Sequence, residues 1–427
     1  MSLNRKIVPP ITDAVSFDLQ LKKCDQYQLD NGVPVYSLNA GAQDVLMIEW
    51  VFYAGNWYEN KNIVAATTNF LLKNGTNNRS AFSINEFFEG YGAYLNRSCY
   101  NETATITLHC LSKHVRELLP VVAEIITASV FPEEELSIYR RNQQQRLEVN
   151  LKKCDFVANR LIDEYIYGIE HPYGKYTSTD DYNKLNREEL LDYYKQFYIN
   201  GHCSIFTAGK LPAQLDQELN HVFGKLPLKQ QSLPDIQYQS NPAGQKKHHI
   251  INDTSGVQAA IRLARPFPSR HHPDYQKVQI LNNVFGGFFG SRLMSNIRED
   301  KGYTYGIHSY IQNHIHDSAW LISTEAGRDV AKATVEEVYK EMAILRDERI
   351  DEEELSLVRN YMIGSVLGDL DGPFQLISRW KNYVLNVVDE NYFYKSVELI
   401  KTTGAEELQE LAKKYLNPDD FYELLVI

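Results

Sequence analysis

Eight residues, EEELSIYR at Glu133–Arg140, return almost unchanged as EEELSLVR at Glu352–Arg359, 219 positions later. A second pair, EELLDYYKQFYIN from Glu188 and EELQELAKKYLN from Glu406, recurs at an offset of 218. Acidic helix starts are common enough that one pair would carry little weight, but two pairs at nearly one spacing mark a duplication. The 427-residue chain must therefore build one design twice, and each half is long enough to bury its own core. The seam falls in KLPLKQQSLPDIQYQSNPAGQKK, Lys225–Lys247, which is rich in Pro, Gln and Ser and lacks periodicity. This places one domain at 1–230, a linker at about 225–247 and a second domain at 247–427.

Strand-like alternation opens both halves, in DVLMIEWVFYAG (Asp44–Gly55) and GVQAAIRLARP (Gly256–Pro266). Helical periodicity dominates 114–129, 133–166, 330–347 and 352–390. Each copy of the second repeat is an amphipathic helix followed by a β-like run, HCSIFTAG in one case and DDFYELLVI in the other. Runs of strand followed by runs of helix predict an α+β fold: two homologous domains, each a mostly antiparallel sheet with helices packed on one face.

Charge and motif content exclude several function classes. A net charge of −11 argues against a nucleic-acid or anionic-membrane surface. No apolar run approaches ~18 residues, so no membrane helix is expected, and the N-terminal stretch lacks a secretory h-region. Five cysteines without a CxxC pair suit reduced thiols in a cytoplasmic protein. VFGGFFGSRL, with Gly286, Gly287 and Gly290, lacks the G-K-[ST] of a P-loop and the spacing of a dinucleotide fingerprint. His248 with His249, and His271 with His272, are adjacent pairs whose side chains diverge on a strand, whereas His314 and His316 could share a strand face. No carboxylate or cysteine lies at ligand spacing from them, so exposed or hydrogen-bonded histidines are expected.

The segment NIVAATTNFLLKNGTNNRS, Asn62–Ser80, resembles the metal-binding helix of pitrilysin/insulinase-type zinc peptidases, which reads G-x-A-H-F-L-E-H-x-x-F-K-G-T. Aligned on Gly75 and Thr76, Ala66, Asn69 and Phe70 stand where the family has His, Glu and His. The inverted motif H-x-x-E-H works because positions i, i+3 and i+4 share a helix face. Ala and Phe carry no donor atom, and Asn is no base at neutral pH. At the family's spacing for its third ligand, RRNQQQRLE puts Gln144, Gln145 or Arg146 at the Glu position, and Glu148 is displaced by about one helical turn. The resemblance extends along the chain through Gly92, Leu95, Asn96, Glu102 and Thr103, through FPEEEL (Phe131–Leu136), through Glu170–Gly201 and through Val284–Gly306. Tyr91 and Arg97 depart from the family pattern, replacing a Gly and an Ala.

The resemblance, nearest to the processing-peptidase branch, implies two LuxS/processing-peptidase-like lobes that form a closed chamber with a partner's pair. It also implies what the half opposite the zinc supplies: an Arg and a Tyr in I-R-E-x-x-G-x-x-Y, matched here by Arg298 and Tyr305, seven residues apart. A guanidinium and a phenol are suited to a tetrahedral oxyanion; equally, Arg298 could complement a helix dipole and Tyr305 pack in a strand. Asn96, Glu102 and the strand Thr103–Cys110 resemble the edge on which substrate adds as an extra strand; ordinary sheet packing is the alternative. Gly286 and Gly287 resemble the turn that lets a helix and the substrate strand approach. The expected function is a non-catalytic subunit of a heterodimeric zinc peptidase. It would hold no metal itself, bind unfolded peptide and supply Arg298 and Tyr305 in trans to a homologous H-x-x-E-H subunit that carries the zinc. The alternative is a peptide-binding or assembly protein of the same fold with no proteolytic role.

Overall fold

The computed structural model describes residues 13–228 and 236–427, so part of the expected linker, 229–235, lies outside the described residues. The first lobe opens with β1 (Asp25–Gln28), β2 (Pro34–Asn39), β3 (Val45–Phe52), α1 (Val64–Leu71), α2 (Ala81–Gly90), β4 (Tyr94–Cys99) and β5 (Ala104–Leu111). It continues with α3 (Val115–Ala128), α4 (Glu133–Asn150), α5 (Cys154–Tyr167), α6 (Thr179–Lys184), α7 (Arg187–Tyr194), β6 (Cys203–Gly209) and α8 (Leu215–Phe223). In the second lobe come β7 (Lys247–Ile250), β8 (Gln258–Phe267), α9 (Tyr275–Asn282), a wide turn of helix at Met294–Asp300, β9 (Thr304–Asn313) and β10 (Ser318–Gly327). The chain ends with α10 (Ala331–Asp347), α11 (Glu352–Asp369), α12 (Pro373–Leu385), α13 (Asn391–Thr402), α14 (Ala405–Tyr415) and β11 (Tyr422–Val426).

The sheet orders are β1-β2-β6-β3-β5-β4 and β7-β11-β8-β10-β9. They superimpose strand for strand once β1 is set aside, including the parallel pairs β2–β6 and β7–β11 among otherwise antiparallel neighbours. α4 and α11 begin and end at the same offset of 219 as the sequence repeat. Each starts on three glutamates that face the positive end of the helix dipole. Helical periodicity ran through 133–166 and 352–390, but each stretch is two helices, broken before Cys154 and at Gly372, whose φ is +118°.

Alternation in β3 shows how the lobes are assembled. Leu46, Ile48, Trp50 and Phe52 enter the first lobe's core with α1, α3 and α7, while Met47 and Val51 join the cluster on the opposite face. The expectation placed helices on one face of each sheet. The second face is covered as well, by a helix from the other lobe. α12 packs on β2 and β6, and α5 packs on β8 and β11. On α5, Ala158, Ile162 and Ile166 recur every four residues and meet Ala260, Ala264, Leu321 and Leu424. On α12, Lys381 Nζ lies 2.7 Å from the buried Glu49 carboxylate, and Trp380 Nε1 donates to Lys22 O at 2.9 Å. Residues 13–22 also cross to the second lobe. Ala14 N donates to Asn360 Oδ1 at 2.9 Å, Lys401 Nζ donates to Phe17 O at 2.7 Å, and Leu19 and Leu21 are buried.

Candidate functional site

Helix α1 carries Ala66, Asn69 and Phe70 on adjoining turns, and the turn that follows it depends on Gly75 and Thr76. Gly75 adopts φ +145°, where a Cβ would lie 2.9 Å from Pro132 Cγ. Thr76 Oγ1 accepts from Arg79 N at 3.0 Å and donates to Glu124. The face that would display ligands has taken other partners. Asn69 is buried, and its Nδ2 donates to Thr105 O at 3.3 Å and Tyr198 OH at 3.2 Å, pinning α1 to β5. Phe70 packs on Tyr139 at 4.9 Å between ring centres, with the Arg97 guanidinium 5.1 Å from its own ring centre. Arg97 also donates to Phe70 O and, at 3.4 Å, to Asn74 Oδ1. The departure Ala→Arg at position 97 was visible in the sequence; its partner Phe70 was not.

Gln144 donates to Asn183 Oδ1 at 2.7 Å and so braces α4 against α6. Gln145 shares with Phe70 an open cleft of about 1120 Å³, lined largely by carboxamides and apolar side chains, Asn142, Gln143, Ile138 and Tyr139 among them. This donor set does not fit a catalytic zinc, which needs anionic or imidazole ligands. Among the described residues, no three His, Cys, Asp or Glu side chains come together as a metal-binding group.

The two edge strands of the first sheet are β1 and β4, and β4 carries the exposed Asn96. The expectation that Thr103–Cys110 forms an edge is corrected. β5 lies between β3 and β4 with both ladders filled, because the chain returns from β4 through a tight turn and pairs inward. Glu102 and Thr103 are buried at that turn. Glu102 Oε1 accepts from Tyr173 OH and from Ile315 N at 3.1 Å, the latter across the lobe boundary, and burial pushes its carboxyl above the usual range.

His314 and His316 do not share a strand face. β9 ends at Asn313, and both histidines occupy the following turn, His314 on Tyr173 at 4.0 Å and His316 on Trp57 at 4.1 Å between ring centres. The Tyr173, His171 and Trp57 cluster that receives them is a feature sequence reasoning missed, since no spacing links residues so distant. His248 stacks on Tyr165 at 3.7 Å.

Arg298 and Tyr305 are brought together through the backbone. Gly302 takes φ +66° and ends the helical turn, as a left-handed cap requires. Arg298 Nε then donates to Tyr305 O at 3.0 Å, its guanidinium 4.6 Å from the Phe289 ring centre and 3.7 Å from Glu299. The Tyr305 side chain is 93% exposed and points away from the core. It borders a pocket of about 530 Å³ that also has Lys152, Cys154 and Glu325 in its wall. Gly286 serves a close approach of helix to strand, since a Cβ there would lie 2.7 Å from Ser309 Cβ and 2.8 Å from Leu293 Cδ1, whereas a Cβ on Gly287 would meet Asn282 and Asn283 of its own segment. Arg292 forks onto both Glu354 oxygens at 2.8 and 2.7 Å and ties this loop to α11. All five cysteines are free, and among the described residues no helix is long and apolar enough to cross a membrane.

The chain is similar to several known proteins over most of its length. The uncharacterized zinc protease YmxG of Bacillus subtilis is 22% identical over 413 residues, spanning 94% of this chain and 97% of that one. The probable mitochondrial-processing peptidase subunit beta of Schizosaccharomyces pombe is 25% identical over 229 residues, 50% of this chain and 48% of that one. The crystal structure of a peptidase M16 inactive domain from Pseudomonas fluorescens superimposes with a TM-score of 0.84 at 22% identity, covering 95% of this chain and 98% of that one, and shows a shared fold. The insulinase (peptidase family M16) model matches residues 35–172 and the peptidase M16 inactive-domain model matches residues 184–362, so the chain belongs to the M16 insulinase family.

Proposed function

We propose that this chain is the non-catalytic subunit of a heterodimeric M16 peptidase, holding no zinc of its own and completing the site of a homologous subunit that bears H-x-x-E-H. The observation that carries this reading is a pairing of opposites. The helix that would bind metal has its ligand face closed by Asn69 and by the Phe70–Arg97 contact. Meanwhile Tyr305 stands in solvent with Arg298 fastened to its backbone, a donor pair held on the outside of the lobe. Facing a partner's site, the phenol and guanidinium would bind the substrate carbonyl oxygen and stabilise the charge that develops there. The outer side of β4, which among the described residues no other strand pairs, supports main-chain pairing with an extended peptide.

The test is reconstitution with an H-x-x-E-H homologue. The isolated chain is expected to cleave nothing, and the mixture is expected to cleave unfolded peptides. Arg298→Ala or Tyr305→Phe should lower kcat/KM about 10²–10³-fold. Unchanged turnover in both variants removes the in-trans role. A second reading, peptide binding or assembly without proteolysis, is favoured by the same free β4 edge, which needs no zinc. Peptide binding by the isolated chain, with no activity gained in any mixture, would select it.

A further inference from the structure

On the second lobe, α9, α12 and α13 enclose an open pocket of about 660 Å³, far from α1 in sequence and belonging to neither the β4 edge nor the Arg298–Tyr305 pair. α12 turns two faces to two tasks. Trp380 and Lys381 hold the first lobe, while Gln375, Ser378, Arg379 and Asn382, spaced as one helical face, line the pocket. Tyr275 and Gln276 of α9 and Tyr392 of α13 form the facing wall.

Two arginines enter this space, and among the described residues Arg379 has a carboxylate partner and Arg270 has none. Arg379 Nη2 donates to Asp369 Oδ2 at 2.8 Å. Arg270 donates from Nη1 to the neutral Asn382 Oδ1 at 2.7 Å, and its enclosed Nε has no hydrogen-bond partner among the described residues. Its guanidinium carbon lies 6.0 Å from the Tyr275 ring centre and 5.7 Å from that of Tyr392, so two aromatic faces hold it in place. Among the described residues it meets no carboxylate. Arg262, Arg265 and Arg292 pair with Glu325, Asp420 and Glu354, whereas Arg97 and Arg187 spend their donors on backbone oxygens, Arg97 on Phe70 O and Arg187 on Val130 O and Phe131 O. A partly desolvated guanidinium without a counter-charge is under-satisfied, and a fork of donors fits a carboxylate in particular. Counting Arg270, Arg379 and Asp369, the pocket carries one net positive charge, which balances a single negative charge and disfavours a phosphate dianion beside Asp369. Its volume lies within the usual range of small-molecule sites. The duplication confines the arrangement to one lobe. At the offset of 219, Asn382, Arg379 and Tyr392 correspond to Asp163, Arg160 and Tyr173. There Arg160 donates to Thr177 O and Tyr173 is bound to Glu102.

We propose that this pocket binds a small organic carboxylate, its carboxyl group on Arg270 and its apolar body against the rings of Tyr275, Tyr392 and Phe374. The acid could be a free metabolite or the terminus of a short peptide, and both share the chemistry that Arg270 recognises. Calorimetric titration of the full chain with phenylacetate, N-acetylphenylalanine, N-acetylphenylalanine amide and inorganic phosphate separates the sources. Saturable binding of at least one carboxylate is expected, with phenylacetate favouring a free acid and N-acetylphenylalanine favouring a chain terminus. The amide should bind about 10-fold more weakly or worse, and Arg270→Gln should weaken the acid by a similar factor. Arg270→Lys, which keeps the charge but loses the fork, should fall between, and Asn382→Ala provides a second variant should Arg270→Gln melt early. The proposal is overturned if the amide binds as tightly as the acid, if phosphate binds more tightly than either carboxylate, if no carboxylate binds at millimolar concentration, or if well-folded Arg270→Gln binds unchanged.

Discussion

Mild acid should loosen the contact between the lobes through one histidine. His314, from the second lobe, stacks on Tyr173 of the first and has Nδ1 3.2 Å from Asn101 Nδ2. Its enclosed Nε2 has no hydrogen-bond partner among the described residues. Taking Asn101 Nδ2 as the donor, the ring serves as a neutral acceptor, and a proton added there would sit in a dry site. Burial, and then the neighbouring His171, lower it from 6.5 to about 4. The unfolded chain accepts that proton near pH 6.5 and the folded chain resists until about 4, so the stabilisation is complete above the upper value and is lost as pH falls through the window. At about pH 5 this ring alone removes roughly 2 kcal/mol of stability, out of roughly 3 for the whole shift. His171, also lowered to about 4, acts in the same direction. Glu102, raised by burial, acts in the opposite one, because its folded form holds a proton more readily. Comparing wild type with His314→Gln at each pH cancels most of both. Urea unfolding near neutrality and at about pH 5 should show wild type losing roughly 2 kcal/mol more than the variant. Equal losses in the two proteins would refute the reasoning, since the pH dependence would then arise elsewhere.

Gly286→Ala should destabilise by about 1–3 kcal/mol, because the new methyl meets Ser309 and Leu293 inside van der Waals contact; thermal melting reads this directly. Lys381→Met leaves the buried Glu49 carboxylate without its cation and should cost up to about 3 kcal/mol, the lower end for broken buried pairs because Lys381 is partly exposed. Denaturant titration tests it, and a neutral result would mean that Glu49 finds another partner. Asn69→Ala should cost about 1–3 kcal/mol by leaving the buried Tyr198 OH without its donor and removing the tie to Thr105 O, with a fall in the urea midpoint as the readout. An unchanged midpoint would show that Asn69 is not what pins α1.

Most of the fold was legible because local chemistry repeats. The acidic starts of α4 and α11, the alternation of β3 and β8 and the glycine cap at Gly302 are short-range signals, and each landed where the pattern placed it. The candidate site was legible in part for the same reason. Arg298 and Tyr305 lie close in sequence, so a cap and a strand suffice to join them. The edge strand was misplaced because β4 and β5 are neighbours in the chain and pair with each other, and only the pairing order decides which of them is left open.

The amino-acid sequence alone determined that this chain is a duplicated α+β protein of the M16 type. That is a statement about residue identity and local periodicity. Only the tertiary structure decided that each lobe's sheet is roofed by a helix of the other, that Arg97 covers Phe70, and that Glu102, Tyr173 and His314 meet across the boundary. Those contacts join residues far apart in the chain. They exist because both faces of a buried sheet must be covered, and no spacing along one strand or helix records which distant element does it.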